Sequence, residues 1–189
     1  MTGGVSMSVG SSADGEGVTL VPTGVTLVIG LGNPLLADDG VGWLVADEVR
    51  ARLAGDPILA ADPRFADVEV DHLAVGGLAL MERLVGYRRA ILVDAMVTGS
   101  HPPGTVRRFS MADVPGRQAT HLDSAHDASL AVALRAGRSL GADLPADIAI
   151  VAIEAALVTE LVEELTPAVA AAIPEAVEAV LTAIGETGA

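Results

Sequence analysis

The chain contains no cysteine, which excludes disulfides, thiolate metal sites and a thiol nucleophile. An oxidising compartment is therefore not implied. Aromatic residues make up only 2% of the 189, while 51% are hydrophobic, so the core must be aliphatic and built mainly from Ala, Val and Leu. Cations are scarce as well: 11 Lys and Arg face 25 Asp and Glu, and the net charge of −14 repels nucleic acid over most of the surface. That partner class is excluded. No uninterrupted apolar run reaches the roughly 18 residues needed to span a bilayer. Residues 1–24, rich in Gly, Ser and Thr, lack the basic start and apolar centre of a secretory signal. The expectations are a disordered tail over residues 1–24, a single domain over 25–187, a cytoplasmic location and no membrane partner.

The stretch from Val25 to Gly42 carries the most information. Val25 to Ile29 is apolar and β-branched, as befits a strand covered on both faces. Gly30 and Gly32 then let the backbone turn sharply and pass close to another segment. From Val41 onward, Val41, Leu44, Val45, Val49 and Leu53 form one stripe of a helix. Asp38 and Asp39 thereby fall at the carboxyl end of a strand, the edge where open α/β sheets build their sites. One acid suffices to cap the helix, and the other is left for chemistry. A dinucleotide-binding turn does not fit, because Leu35 occupies the third glycine position and two acids stand where a pyrophosphate needs positive potential.

Further along, Gly55 to Pro63 reads as a loop and Asp67 to Asp71 as a half-buried strand. Gly76-Gly77 opens a short helix with Leu78, Met81 and Leu84 on one side. Arg88 to Asp94 is an interior strand ending in a carboxylate, which brings Asp94 to the same sheet edge. Thr105 to Phe109 reads as an edge strand because of its two arginines, and Met111 to Thr120 as a loop. Asp123-Ser124 can cap a helix from about Ala125 to Ala136, with Gly137 as its stop. His126 then lies in a first helical turn, where the dipole favours the neutral, metal-binding imidazole. His72, His101 and His121 read as surface or turn residues. Asp147 to Glu154 is another buried strand. Thr166-Pro167 opens a closing helix with Val169, Ile173, Val177, Val180, Leu181 and Ile184 as its stripe, which Pro174 should kink or divide.

Strands alternating with helices predict a three-layer α/β/α fold of the phosphorylase/hydrolase-like kind, with a mostly parallel twisted sheet of about five strands. Two carboxylates and a neutral imidazole on one edge make an oxygen and nitrogen donor set suited to a divalent transition ion with open positions.

The segment Gly30-Leu-Gly-Asn-Pro-Leu-Leu-Ala-Asp-Asp-Gly-Val-Gly42 resembles the N-terminal signature of the [NiFe]-hydrogenase maturation proteases. The likeness continues at Ile91-Leu-Val-Asp-Ala95, at Pro103-Gly-Thr105 with Val114-Pro115, at Ser124-Ala-His126 and at Leu165-Thr-Pro167. It spans about Val25 to Ile184. The resemblance implies an endopeptidase that trims the C-terminal extension of the hydrogenase large-subunit precursor, which is its expected partner. It also implies Asp39, Asp94 and His126 as the metal-contacting and catalytic residues, which leaves Asp38 as the capping acid and makes Asp38→Asn an expected mild change. Nickel arrives with the substrate, so no permanent cofactor is expected, and zinc or cadmium is the expected stand-in in crystals. The chain is expected to act as a monomer. Ala74-Val75 replaces the family's Gly-Thr pair before Gly76-Gly77, and its hydroxyl is lost. The alternative function is a non-catalytic checkpoint that uses the same three ligands to bind the nickel centre.

Overall fold

The aliphatic runs form the interior of a five-stranded sheet in a computed structural model that describes residues 25–74, 76–111 and 127–186, without the side chains of 127–129. In chain order the strands are β1 (Thr26–Leu31), β2 (Val68–Leu73), β3 (Arg89–Met96), β4 (Val106–Ser110) and β5 (Asp147–Glu154). Their spatial order is β2-β1-β3-β5-β4, parallel throughout except where β4 runs antiparallel to β5. The arginine-bearing strand β4 lies at an edge, as its composition predicted.

Alternation within each strand sends side chains to opposite faces. Val28, Ile91, Val93, Val151 and Ile153 pack with helices α1 (Val41–Gly55) and α5 (Pro167–Gly185). Leu27, Ile29, Leu92 and Ile150 pack on the other side with α3 (Gly77–Leu84) and α4 (Asp127–Ser139). The outcome is the three-layer arrangement, and β1 and β3 are direct neighbours.

Several local expectations are corrected. The expected loop from Gly55 to Pro63 contains a short helix, α2 (Pro57–Ala61), and a 3-10 turn follows at Pro63–Phe65. Each starts with an aspartate whose side chain accepts a backbone N–H two residues on: Asp56 from Ile58 at 2.8 Å and Asp62 from Arg64 at 2.9 Å. Proline follows each cap, where its missing N–H costs nothing. Leu44 and Leu78 are exposed instead of joining their stripes; the buried sides are Val41, Val45, Ala46 and Val49 in α1, and Leu80, Met81 and Leu84 in α3. Gly137 does not stop α4. It is a packing glycine, since a Cβ there would meet Met81 Sδ at 2.9 Å and Leu144 Cδ1 at 3.0 Å. The helix ends two residues later, and Gly141 adopts the left-handed conformation at φ 83°.

Helix α5 is continuous through Pro174 rather than divided. It is also long and apolar enough, by length and composition, to cross a membrane, although Glu175 and Glu178 interrupt its apolar run. Its stripe of Val169, Val177, Val180, Leu181 and Ile184 is buried in the core. The tail over residues 1–24 and the expected loop from 112 to 120 lie outside the described residues.

Candidate active site

The segment after β1 is held by very close backbone approach. Gly32 has φ 115°, and a Cβ on it would run into the Asp39 carbonyl oxygen. A Cβ on Gly42 would strike the Leu31 carbonyl oxygen and lie 2.5 Å from that of Val93. The start of α1 therefore rests directly on the ends of β1 and β3. Between these contacts Asn33 to Asp39 fold into a compact turn: the Asn33 N–H donates to Asp39 Oδ2 at 2.6 Å, and the Leu35 N–H to Asn33 Oδ1 at 3.0 Å. Ala37, at φ 46°, is the one non-glycine residue in the left-handed region among the described residues. That conformation costs on the order of 1 kcal/mol and is held by the surroundings.

Asp38 is fully buried and does not cap α1. Its Oδ2 accepts from the Ala156 and Leu157 N–H groups and the Thr166 hydroxyl, each at 3.0 Å, and its Oδ1 accepts from the Thr166 N–H at 2.7 Å. The backbone adds two more ties, Asp38 N–H to Leu157 oxygen at 2.9 Å and Ala37 N–H to Val162 oxygen at 2.6 Å. The expected capping role is thus overturned, and with it the expected mildness of Asp38→Asn. Asp38 is a buried clasp that fastens the loop between β5 and α5 to the turn carrying Asp39.

Asp39 follows directly and is partly exposed. Asp94 is buried two residues before the end of β3, so the strand extends beyond the expected carboxylate end. Alternation with Leu92 and Met96 puts it on the α3 and α4 face. The two acids thus occupy the carboxyl edge of adjacent parallel strands, and β3 also packs against the turn of Ala37–Gly40. His126 and the proposed Asp123-Ser124 cap lie outside the described residues, as does His121. Helix α4, which His126 immediately precedes, covers the same face as Asp94. Among the described residues no three His, Asp or Glu are grouped so as to hold a metal ion.

Glu154 was not singled out by sequence reasoning, although it ends a buried run just as Asp94 nearly does. Its Oε1 accepts from the N–H groups of Thr98 and Gly99, both at 2.8 Å, and its Oε2 from the Thr98 hydroxyl at 2.7 Å. It anchors the loop that leaves β3 just beyond Asp94. His101 is exposed, as expected. His72 is more enclosed than a surface residue: its ring lies 4.9 Å from that of Trp43, and its Nε2 is 3.1 Å from Asp47. Beside it, burial pushes the Asp71 carboxyl up, but hydrogen bonds from Arg83 and the His72 N–H outweigh this and hold it below its usual range.

Comparison with known proteins extends this picture. A family described as HycI, hydrogenase maturation protease, matches residues 62–183. The match begins downstream of the glycine turn. Among solved structures, the hydrogenase maturating endopeptidase HybD of Escherichia coli is 27% identical with a TM-score of 0.67, covering 87% of this chain and 94% of its own. An endopeptidase from Escherichia coli solved in solution is 28% identical with a TM-score of 0.65, at the same coverage. The [NiFe] hydrogenase maturation protease HybD of Thermococcus kodakarensis, at 23% identity, TM-score 0.63 and coverage of 85% and 99%, bears on the fold alone. Curated protein sequences give no match.

Proposed function

The chain belongs to the hydrogenase maturation protease family, and from that premise we propose that it removes the C-terminal extension of a [NiFe]-hydrogenase large-subunit precursor after nickel insertion. Nickel bound in the precursor is what the enzyme recognises, so the ion is part of the substrate. The observation that carries this reading is the placement of Asp39 and Asp94 at the carboxyl edge of neighbouring strands β1 and β3. Both acids are oxygen donors, and His126 supplies the nitrogen donor from the residue preceding α4. Together they grip the metal centre and hold the scissile peptide beside it. Orientation of this kind lowers a hydrolytic barrier by on the order of several kcal/mol. A carboxylate at this edge is also placed to take a proton from the attacking water.

Incubation of the purified chain with nickel-loaded precursor, followed by intact mass measurement, tests the proposal. A discrete C-terminal loss is expected. Asp39→Asn and Asp94→Asn should each slow it by on the order of 100-fold or more, the scale of a lost positioning or proton-transfer group. Equal processing by Asp39→Asn would remove that residue from the mechanism. A stable complex with no cleavage would point instead to a checkpoint role.

A further inference from the structure

Ala156 to Leu165, the loop clasped by Asp38, presents an unusual surface for a segment so firmly tied down. Leu161 is 79% exposed and Val162 40%, and Leu35 on the adjoining turn is 49% exposed. The two segments are joined where the Ala37 N–H donates to the Val162 oxygen at 2.6 Å. Glu160, Glu163 and Glu164 flank Leu161 and Val162 in the sequence, all exposed and without an ion pair among the described residues. No basic residue occurs in the sequence after Arg138. Apolar side chains held in solvent by a rigid mount are unfavourable unless something covers them. Only Asp38 separates Ala37 from Asp39, so whatever covers them lies beside the proposed reaction centre.

We propose that Leu35, Leu161 and Val162, with their rim of glutamates, form the docking surface for the C-terminal end of the precursor. The segment it fits carries an apolar anchor flanked by Lys or Arg. Charge complementarity selects that chemistry: a loop with three exposed glutamates and no basic residue in its own sequence favours a basic partner and repels an acidic one. This inference rests on the peptidase reading above and adds to it the part of the enzyme that selects the substrate. The clasp holds the surface in place before the substrate arrives, so little ordering is needed on binding.

The test titrates the purified chain against a fluorescently labelled, nickel-loaded precursor and against the same subunit lacking its extension, with processing rates measured in parallel. Leu161→Asp should weaken precursor binding about tenfold and raise KM by a similar factor with kcat unchanged, the scale of one lost apolar anchor. Leu161→Ala repeats the measurement without an added charge. Replacing Glu160, Glu163 and Glu164 together by Gln should weaken binding and flatten its dependence on salt. Ile58→Asp, an equally exposed apolar site on α2, should bind like wild type. Unchanged binding by both Leu161 variants overturns the proposal, as does equal affinity of wild type for the extended and trimmed subunits. Wild type that binds but never cleaves overturns the peptidase reading instead, and the binding comparison still decides the docking surface.

Discussion

Asparagine at position 38 keeps the shape of the side chain and exchanges one acceptor oxygen for an NH2 donor. The new amide nitrogen has two places to go. At the Oδ2 position it would face the N–H groups of Ala156 and Leu157 as well as the Thr166 hydroxyl. At the Oδ1 position it would face only the Thr166 N–H, now 2.7 Å away. The second placement is the less costly one. It still sets donor against donor inside the protein and removes the charge from the remaining bonds, at a cost of about 2–3 kcal/mol. For a chain of this size that lowers the melting temperature by roughly 4–12 °C. Asp38→Ala strands all four donors and should cost on the order of 5 kcal/mol, a large part of a typical total stability. Thermal melts near neutral pH give the magnitudes, and hydrogen exchange at the Ala156, Leu157 and Thr166 amides shows where the loosening occurs. An Asp38→Asn melting temperature within about 1 °C of wild type would refute the reasoning, because that corresponds to less than about 0.5 kcal/mol.

Glu154 provides the opposite case. In Glu154→Gln the amide can replace Oε2 and donate to the Thr98 hydroxyl, while Oε1 keeps both backbone N–H groups. Its cost should stay near 1 kcal/mol in a urea titration, whereas Glu154→Ala should exceed it by about 2 kcal/mol. Gly42→Ala should lose about 3 kcal/mol in the same assay, the upper end for overpacking, because the added methyl meets two backbone carbonyls that cannot swing aside. The side-chain hydrogen bond from Arg64 lowers the Asp62 pKa from 3.8 to about 2. Its stabilising effect is therefore fully present above pH ~4 and disappears as pH falls from 3.8 to about 2, more weakly in high salt. Asp62→Asn should remove this acid-side slope from melts recorded against pH, and an unchanged slope would count against the assignment.

Much of the fold was legible because the inner strands β1, β3 and β5 are buried on both faces and read as largely aliphatic runs. Asp147 to Glu154 was bounded correctly for that reason. Strand β1 runs past the glycine that its sequence suggests as a stop, because Gly30 and Leu31 still pair with β2. Helix faces were harder to read. Leu44 and Leu78 share the periodicity of their neighbours, yet they rotate into solvent because which apolar residues are covered depends on what packs alongside. The prolines at 57 and 63 signalled a loop when read singly. Read with the aspartates before them, they are the first residues of two short helical segments.

The site divides along a similar line, between what adjacent residues determine and what distant residues decide. Asp39 could be placed from its own segment, because the glycines at 30, 32 and 42 dictate a turn that brings it to the strand ends. Asp94 could be placed from the run before it. Asp38 could not, because its partners lie 118 to 128 residues further along the chain and no local pattern distinguishes a clasp from a cap. Two neighbouring acids therefore play different parts. Asp38 ties down the loop before α5 that carries Leu161 and Val162, while Asp39 closes the turn after β1 by accepting from the Asn33 N–H. If the docking proposal holds, loosening the clasp would release both at once and so couple stability to substrate capture through Asp38.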